Sequence, residues 1–130
     1  MEIFDFNDKV NFIDENNVFV GFSTRIDCCE NCFWWLCTDW TRAKKIDNCK
    51  KIIEGSISEL NEKLKGFVFN TNFFRQYKGE DRFEEGGAVV FKLMKKNKRI
   101  FLILENHHNG YYSHGFEFMD NDELIQDGYI

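Results

Sequence analysis

Three apolar runs fill the last third of the chain, and the short breaks between them constrain the fold more than any other feature. Residues 88–95 (AVVFKLMK) and 99–106 (RIFLILEN) flank Lys96-Asn97-Lys98, which has the style of a tight hairpin loop. Residues 111–118 (YYSHGFEF) follow Asn109-Gly110, the favoured dipeptide of a type I′ turn. The runs are rich in β-branched and aromatic residues and have strand length. In the third run Tyr112, His114, Phe116 and Phe118 share one face, while Ser113 and Glu117 point the other way. The pattern predicts an antiparallel three-stranded meander.

Upstream, residues 10–24 read as two short strands joined at Glu15-Asn16-Asn17, and residues 32–40 (CFWWLCTDW) as another strand-like run. The single convincing helix spans 56–66 (SISELNEKLKG). Ser56 or Ser58 caps its start, Ile57, Leu60 and Leu64 line one face, and Gly66 suits the C′ position. Residues 49–53 (CKKII) fit either a short helix or a strand. Residues 66–77 resemble a strand, and 78–87 (KGEDRFEEGG) a charged loop. The expected fold class is therefore α+β, with the meander in one antiparallel sheet and the helix packed across one face.

A length of 130 residues fits a single domain over 1–130. Aromatic residues make up 17%, including fifteen Phe, enough to build a substantial core and to exclude a disordered chain. The net charge of −5 opposes general binding to nucleic acid and suits a basic partner. No basic segment leads into an apolar one at the start, and no apolar run approaches a membrane span, so no membrane association is expected. A soluble, cytoplasmic protein is the expectation.

Asp27 to Cys37 (DCCENCFWWLC) holds four of the five cysteines. An odd count in such a chain argues against a disulfide framework. Cys29 and Cys32 form one C-x₂-C, but a structural zinc site wants a second pair, and Cys49 stands alone. His107, His108 and His114 would have to supply the remaining ligands. A thioredoxin-like role needs the motif at a helix start, whereas Phe33-Trp34-Trp35 reads as strand. A Cys–His nucleophile pair has no local oxyanion turn beside it. The alternative is that the cysteines act as small core hydrophobes among the rings. No metal or cofactor is assigned.

Asp27-Cys28-Cys29-Glu30 after a strand, together with Asn109-Gly110-Tyr111-Tyr112-Ser113, resembles a family of small uncharacterised bacterial and phage proteins. Those carry an Asp-Cys-Cys-Glu motif and end in an Asn-Gly-Tyr-Tyr strand; the family implies no established activity. In general character the chain is also similar to immunity proteins of contact-dependent growth inhibition. That resemblance implies a non-enzymatic module that binds and neutralises a cognate toxin, often a basic nuclease. Exposed acids in loops would make the contact: Glu80, Asp81, Glu84, Glu85, Asp120, Asp122 and Glu123. Two alternatives stand beside it. One is a small metal-dependent or thiol enzyme built on Cys28, Cys29 and Cys32 with a hairpin histidine; the other is a phage-encoded host-modulating protein.

Overall fold

The computed structural model describes residues 1–25, 31–40, 52–78, 85–108 and 113–130. They form eleven strands and one short helix. In chain order these are β1 (Glu2–Phe6), β2 (Lys9–Ile13), β3 (Val18–Ser23), β4 (Asn31–Cys37), β5 (Ile52–Ile53), α1 (Ile57–Lys63), β6 (Val68–Phe69), β7 (Arg75–Lys78), β8 (Glu85–Lys95), β9 (Lys98–His108), β10 (Gly115–Asp120) and β11 (Glu123–Tyr129). Every pairing is antiparallel. A five-stranded sheet has the order β1-β2-β3-β10-β11. A six-stranded sheet has the order β5-β4-β9-β8-β6, with β7 pairing along another part of β8.

This architecture corrects the expected α+β fold with its meander and main helix. The chain is mostly β, in two sheets that face each other across one core. Two of the meander's strands are present: β8 and β9 pair from Lys95↔Lys98 to Glu85↔His108 across a two-residue loop. The third is elsewhere. β10 lies between β3 and β11 in the opposite sheet. The Asn109-Gly110 turn lies outside the described residues. A turn signal reports a local reversal of the chain, and the partner of the next strand is a non-local matter that alternation does not encode.

β1 and β11 were missed from the sequence because charged and apolar residues mix on them, as suits sheet edges. Their hairpins are nonetheless well specified. Asn7-Asp8 (φ 51° and 57°) joins β1 to β2, and Asn121-Asp122 (φ 48° and 69°) joins β10 to β11. Positive φ at both central residues is the type I′ geometry, which Asn and Asp tolerate better than other side chains.

Alternation then sorts the side chains. Val10, Phe12, Val20, Phe22, Phe116 and Phe118 point from the five-stranded sheet into the shared core. Leu36, Val89, Phe91, Leu93, Leu102 and Leu104 meet them from the six-stranded sheet. Phe91 is central, with ring centroids 5.0 Å from Phe118 and 5.7 Å from Phe74. His114, Phe116 and Phe118 are all buried, as the alternation predicts.

The helix starts where expected, with Ser56 Oγ accepting from Glu59 N–H at 3.2 Å. Ser56 Oγ also donates to the Glu59 carboxylate at 3.1 Å, which holds that acid in the first turn of the helix. It stops earlier than expected, at Lys63, and Gly66 follows with φ +82° in the turn beyond. Rather than cover a sheet face, α1 guards the edge of β1: the Asn61 side-chain amide accepts from Ile3 N–H and donates to Ile3 C=O. The expected strand over 66–77 is broken at Asn70, whose side chain accepts from Asn72 N–H and turns the chain between β6 and β7. The stretch 78–87, expected as a loop, is strand at both ends, since Lys78 pairs in β7 and Glu85, Gly86 and Gly87 pair in β8. Among the described residues no helix is long and apolar enough to cross a membrane.

Candidate functional site

The outer face of the five-stranded sheet is open to solvent and carries large apolar side chains beside acids. Phe4 and Phe6 stand on β1, Leu124 and Tyr129 on β11, and all four are exposed. Between these edges lies a shallow cleft of about 250 Å³, lined chiefly by Lys9, Gly21, Gly115, Glu117, Asp127 and Tyr129. Three strands build it. Gly21 of β3 faces Glu117 of β10, which in turn faces Asp127 of β11, and Gly115 faces Tyr129.

Glycine makes the concavity. A Cβ at Gly21 would stand 3.0 Å from the Phe19 ring and 3.1 Å from a Glu117 carboxylate oxygen. A Cβ at Gly115 would stand 3.4 Å from the Tyr129 ring. Neighbouring side chains therefore lie low across bare backbone. The low crossing at Gly21 lets Glu117 lean towards Lys9, whose Nζ is 3.9 Å from Glu117 Oε1.

The sequence-predicted acids divide into three sets. Glu80, Asp81 and Glu84 lie outside the described residues. Glu85 begins strand β8 opposite His108, so its expected place in a loop is corrected: the ladder with β9 extends further than the charged sequence signalled. Asp120, Asp122 and Glu123 come together at the β10–β11 hairpin, with Asp122 and Glu123 exposed and Asp120 half-buried. Asn121 fastens that tip. Its N–H donates to Asn17 C=O, and its side chain donates to Asn16 C=O and the Asp120 carboxylate.

Sequence reasoning missed Lys9, Glu117, Asp127 and Tyr129. Glu117 was placed on the outward face but not singled out. The signal for Asp127 and Tyr129 lay in Gln126-Asp127-Gly128-Tyr129, which reads as a strand only once β10 is known to accept it.

The cysteine cluster resolves in part. Cys37 is fully buried against Trp35, Phe101 and Ile103 on the outer side of the six-stranded sheet, the core role. Cys32 is half-buried on the inner side, its Sγ 3.6 Å from Ser23 C=O. The same carbonyl accepts from His114 at 2.6 Å, which puts the proton on Nδ1. His107 is on the other side of the sheet, stacked on Phe33 with its Nε2 3.9 Å from the buried Glu105 carboxylate. Cys32 and His107 thus do not converge. Cys28, Cys29 and Cys49 lie outside the described residues. Among the described residues no group of three or more His, Cys, Asp and Glu is placed to hold a metal ion.

Charge separates the two sheets. Residues 1–25 and 113–130, which make the five-stranded sheet, carry ten Asp and Glu against Lys9 and Arg25. Residues 31–40, 52–78 and 85–108, which hold the six-stranded sheet and helix, carry six acids against nine Lys and Arg. Comparison with known proteins returns no matching family model, no matching curated protein and no matching solved structure.

Proposed function

We propose that this chain is a non-enzymatic protein-binding module that acts as an immunity protein, covering a basic, nuclease-type toxin domain with its five-stranded sheet. The observation that supports the reading most is the acid excess on that sheet, set beside exposed aromatic and aliphatic side chains on its outer face. Acids steer a cationic partner into place and raise the association rate. Exposed Tyr and Phe supply the apolar contact area that holds it once docked. The charged rim at Asp120, Asp122 and Glu123 serves the first task, and Phe6, Leu124 and Tyr129 the second.

The test starts from the neighbouring reading frame. Its product, if a secreted or toxin-like polypeptide, is expressed with and without this chain, and growth and complex formation are measured. Rescue of growth with a stable one-to-one complex is the expected result. A neighbour of unrelated character, or toxicity unchanged by co-expression, would count against the reading.

A further inference from the structure

We infer that the glycine-floored cleft on the five-stranded sheet receives a single arginine side chain from a basic protein partner. The inference rests on the protein-binding reading above and names the contact at its centre. Glu117 and Asp127 are register partners on adjacent antiparallel strands, so both carboxylates rise from the same face. Like charges directly opposite one another weaken a hairpin. Lys9 offsets only one of them, loosely, at 3.9 Å and with both side chains substantially exposed. Among the described residues no ion pair or side-chain hydrogen bond engages the Asp127 carboxylate, and only its backbone carbonyl accepts, from Gln126. Two acids against the single Lys9 leave the cleft with net negative charge.

The shape selects which cation. Gly21 and Gly115 carry no Cβ on this face, which keeps the floor low, and the exposed Tyr129 ring forms one wall. A guanidinium is flat, stacks on an aromatic face and presents a fork of donors to carboxylates on either side. An ammonium is a strongly hydrated point charge that gains little from the ring or from the flat floor. A neutral ligand of the same shape leaves Glu117 and Asp127 opposed.

The experiment is an NMR titration of the isotopically labelled intact chain with Nα-acetyl-arginine methylamide, and with its lysine and citrulline counterparts. The expected result is saturable shifts centred on the Gly21, Gly115 and Gly128 amides with the arginine probe. Binding should be about tenfold weaker for lysine and absent for the neutral citrulline isostere. Asp127→Asn and Tyr129→Ala, both exposed positions, should remove the response while leaving the remaining spectrum in place. Equal responses to all three probes, shifts scattered over the acidic hairpins, or no saturable shift would overturn the proposal. The two readings fail separately. Arginine binding with no toxin complex sinks the immunity role and keeps the cleft. A toxin complex untouched by Asp127→Asn sinks the cleft and keeps the role.

Discussion

On the outer side of the six-stranded sheet, Trp35 and Phe101 are 5% exposed and Val90 is fully buried, whereas on the outer side of the five-stranded sheet Phe6 is 65% and Tyr129 66% exposed. Both sheets alternate, and both contribute to the same inner core. The difference is that one is covered twice and the other once. A sheet apolar on both sides must be roofed, and Trp40, Phe73 and Tyr77 pack over this one. A sheet covered once keeps a face for something else. In this molecule the segments of that sheet also hold the acid excess, with Glu117 and Asp127 on the open face, while the bases gather with the roofed sheet. The six-stranded sheet is buried on both faces, and the five-stranded sheet keeps one face exposed.

The contrast breaks most easily by truncating one ring on each outer face. Trp35→Ala should cost about 3–5 kcal/mol, the usual loss for emptying a buried aromatic site. Tyr129→Ala should stay within about 0.5 kcal/mol, as for a surface position. Urea titration of the pair decides it, and similar losses for both variants would mean the two outer faces are not different in kind.

Next in size is the tie between the sheets. Asp14 is buried at the end of β2, where Oδ1 accepts from Asn16 and Val18 N–H and Oδ2 accepts from Phe69 N–H of β6 at 2.8 Å. One carboxylate therefore closes the β2–β3 turn in its own sheet and satisfies a donor of the other. Asp14→Ala leaves those amides without their acceptor and should cost about 2–4 kcal/mol. If urea unfolding places Asp14→Ala at the wild-type midpoint, the turn does not join the two layers.

How much of this was legible follows the same contrast. β8 and β9 were plain in the sequence because a strand buried on both faces is apolar almost throughout. Their hairpin is local, so their pairing was legible too. β2 and β3 were legible for the same reason, with Glu15-Asn16-Asn17 marking the turn between them. β11 was not: its residues are mostly exposed, its pattern breaks at the bulge beside Phe118 and Met119, and its identity depends on β10. The cleft inherits that obscurity. Glu117, Gly21 and Asp127 are far apart in sequence and meet only because β10 leaves the meander and enters the other sheet. The acids at Asp120, Asp122 and Glu123 were found because a turn needs no partner to be recognised.

A smaller effect concerns the hairpin acids. Replacing Asp122 and Glu123 by lysine should leave folding within about 0.5 kcal/mol, since both side chains are exposed. The double substitution should slow association with a cationic partner by about tenfold at low salt and flatten its dependence on ionic strength. Stopped-flow association at several salt concentrations reads both. An unchanged rate would confine any steering to the centre of the sheet.

The smallest expected effect lies where the edge of the acidic sheet meets the helix. The Met1 α-amino group donates to Leu64 C=O at 2.8 Å and to Phe67 C=O at 3.2 Å, at the carbonyl end of α1. Burial lowers its pKa below the ordinary value of 8.0, a shift that the acids Asp14, Glu15 and Glu2 partly oppose. Below the folded pKa both folded and unfolded chains carry the proton, and the burial penalty is felt in full. Between the two pKa values the unfolded chain binds more proton than the folded one, so stability rises with pH through the interval just under 8.0. Partial exposure keeps the gain small. Urea midpoints measured between about pH 6 and 8, before and after selective acetylation of the α-amine, isolate this group from every other titration. The unmodified protein should show the steeper rise, and Glu2→Gln should steepen it by removing one of the opposing charges. Identical slopes before and after acetylation would detach the amine from the helix end, and with it the anchor that holds β1 at the edge of the five-stranded sheet.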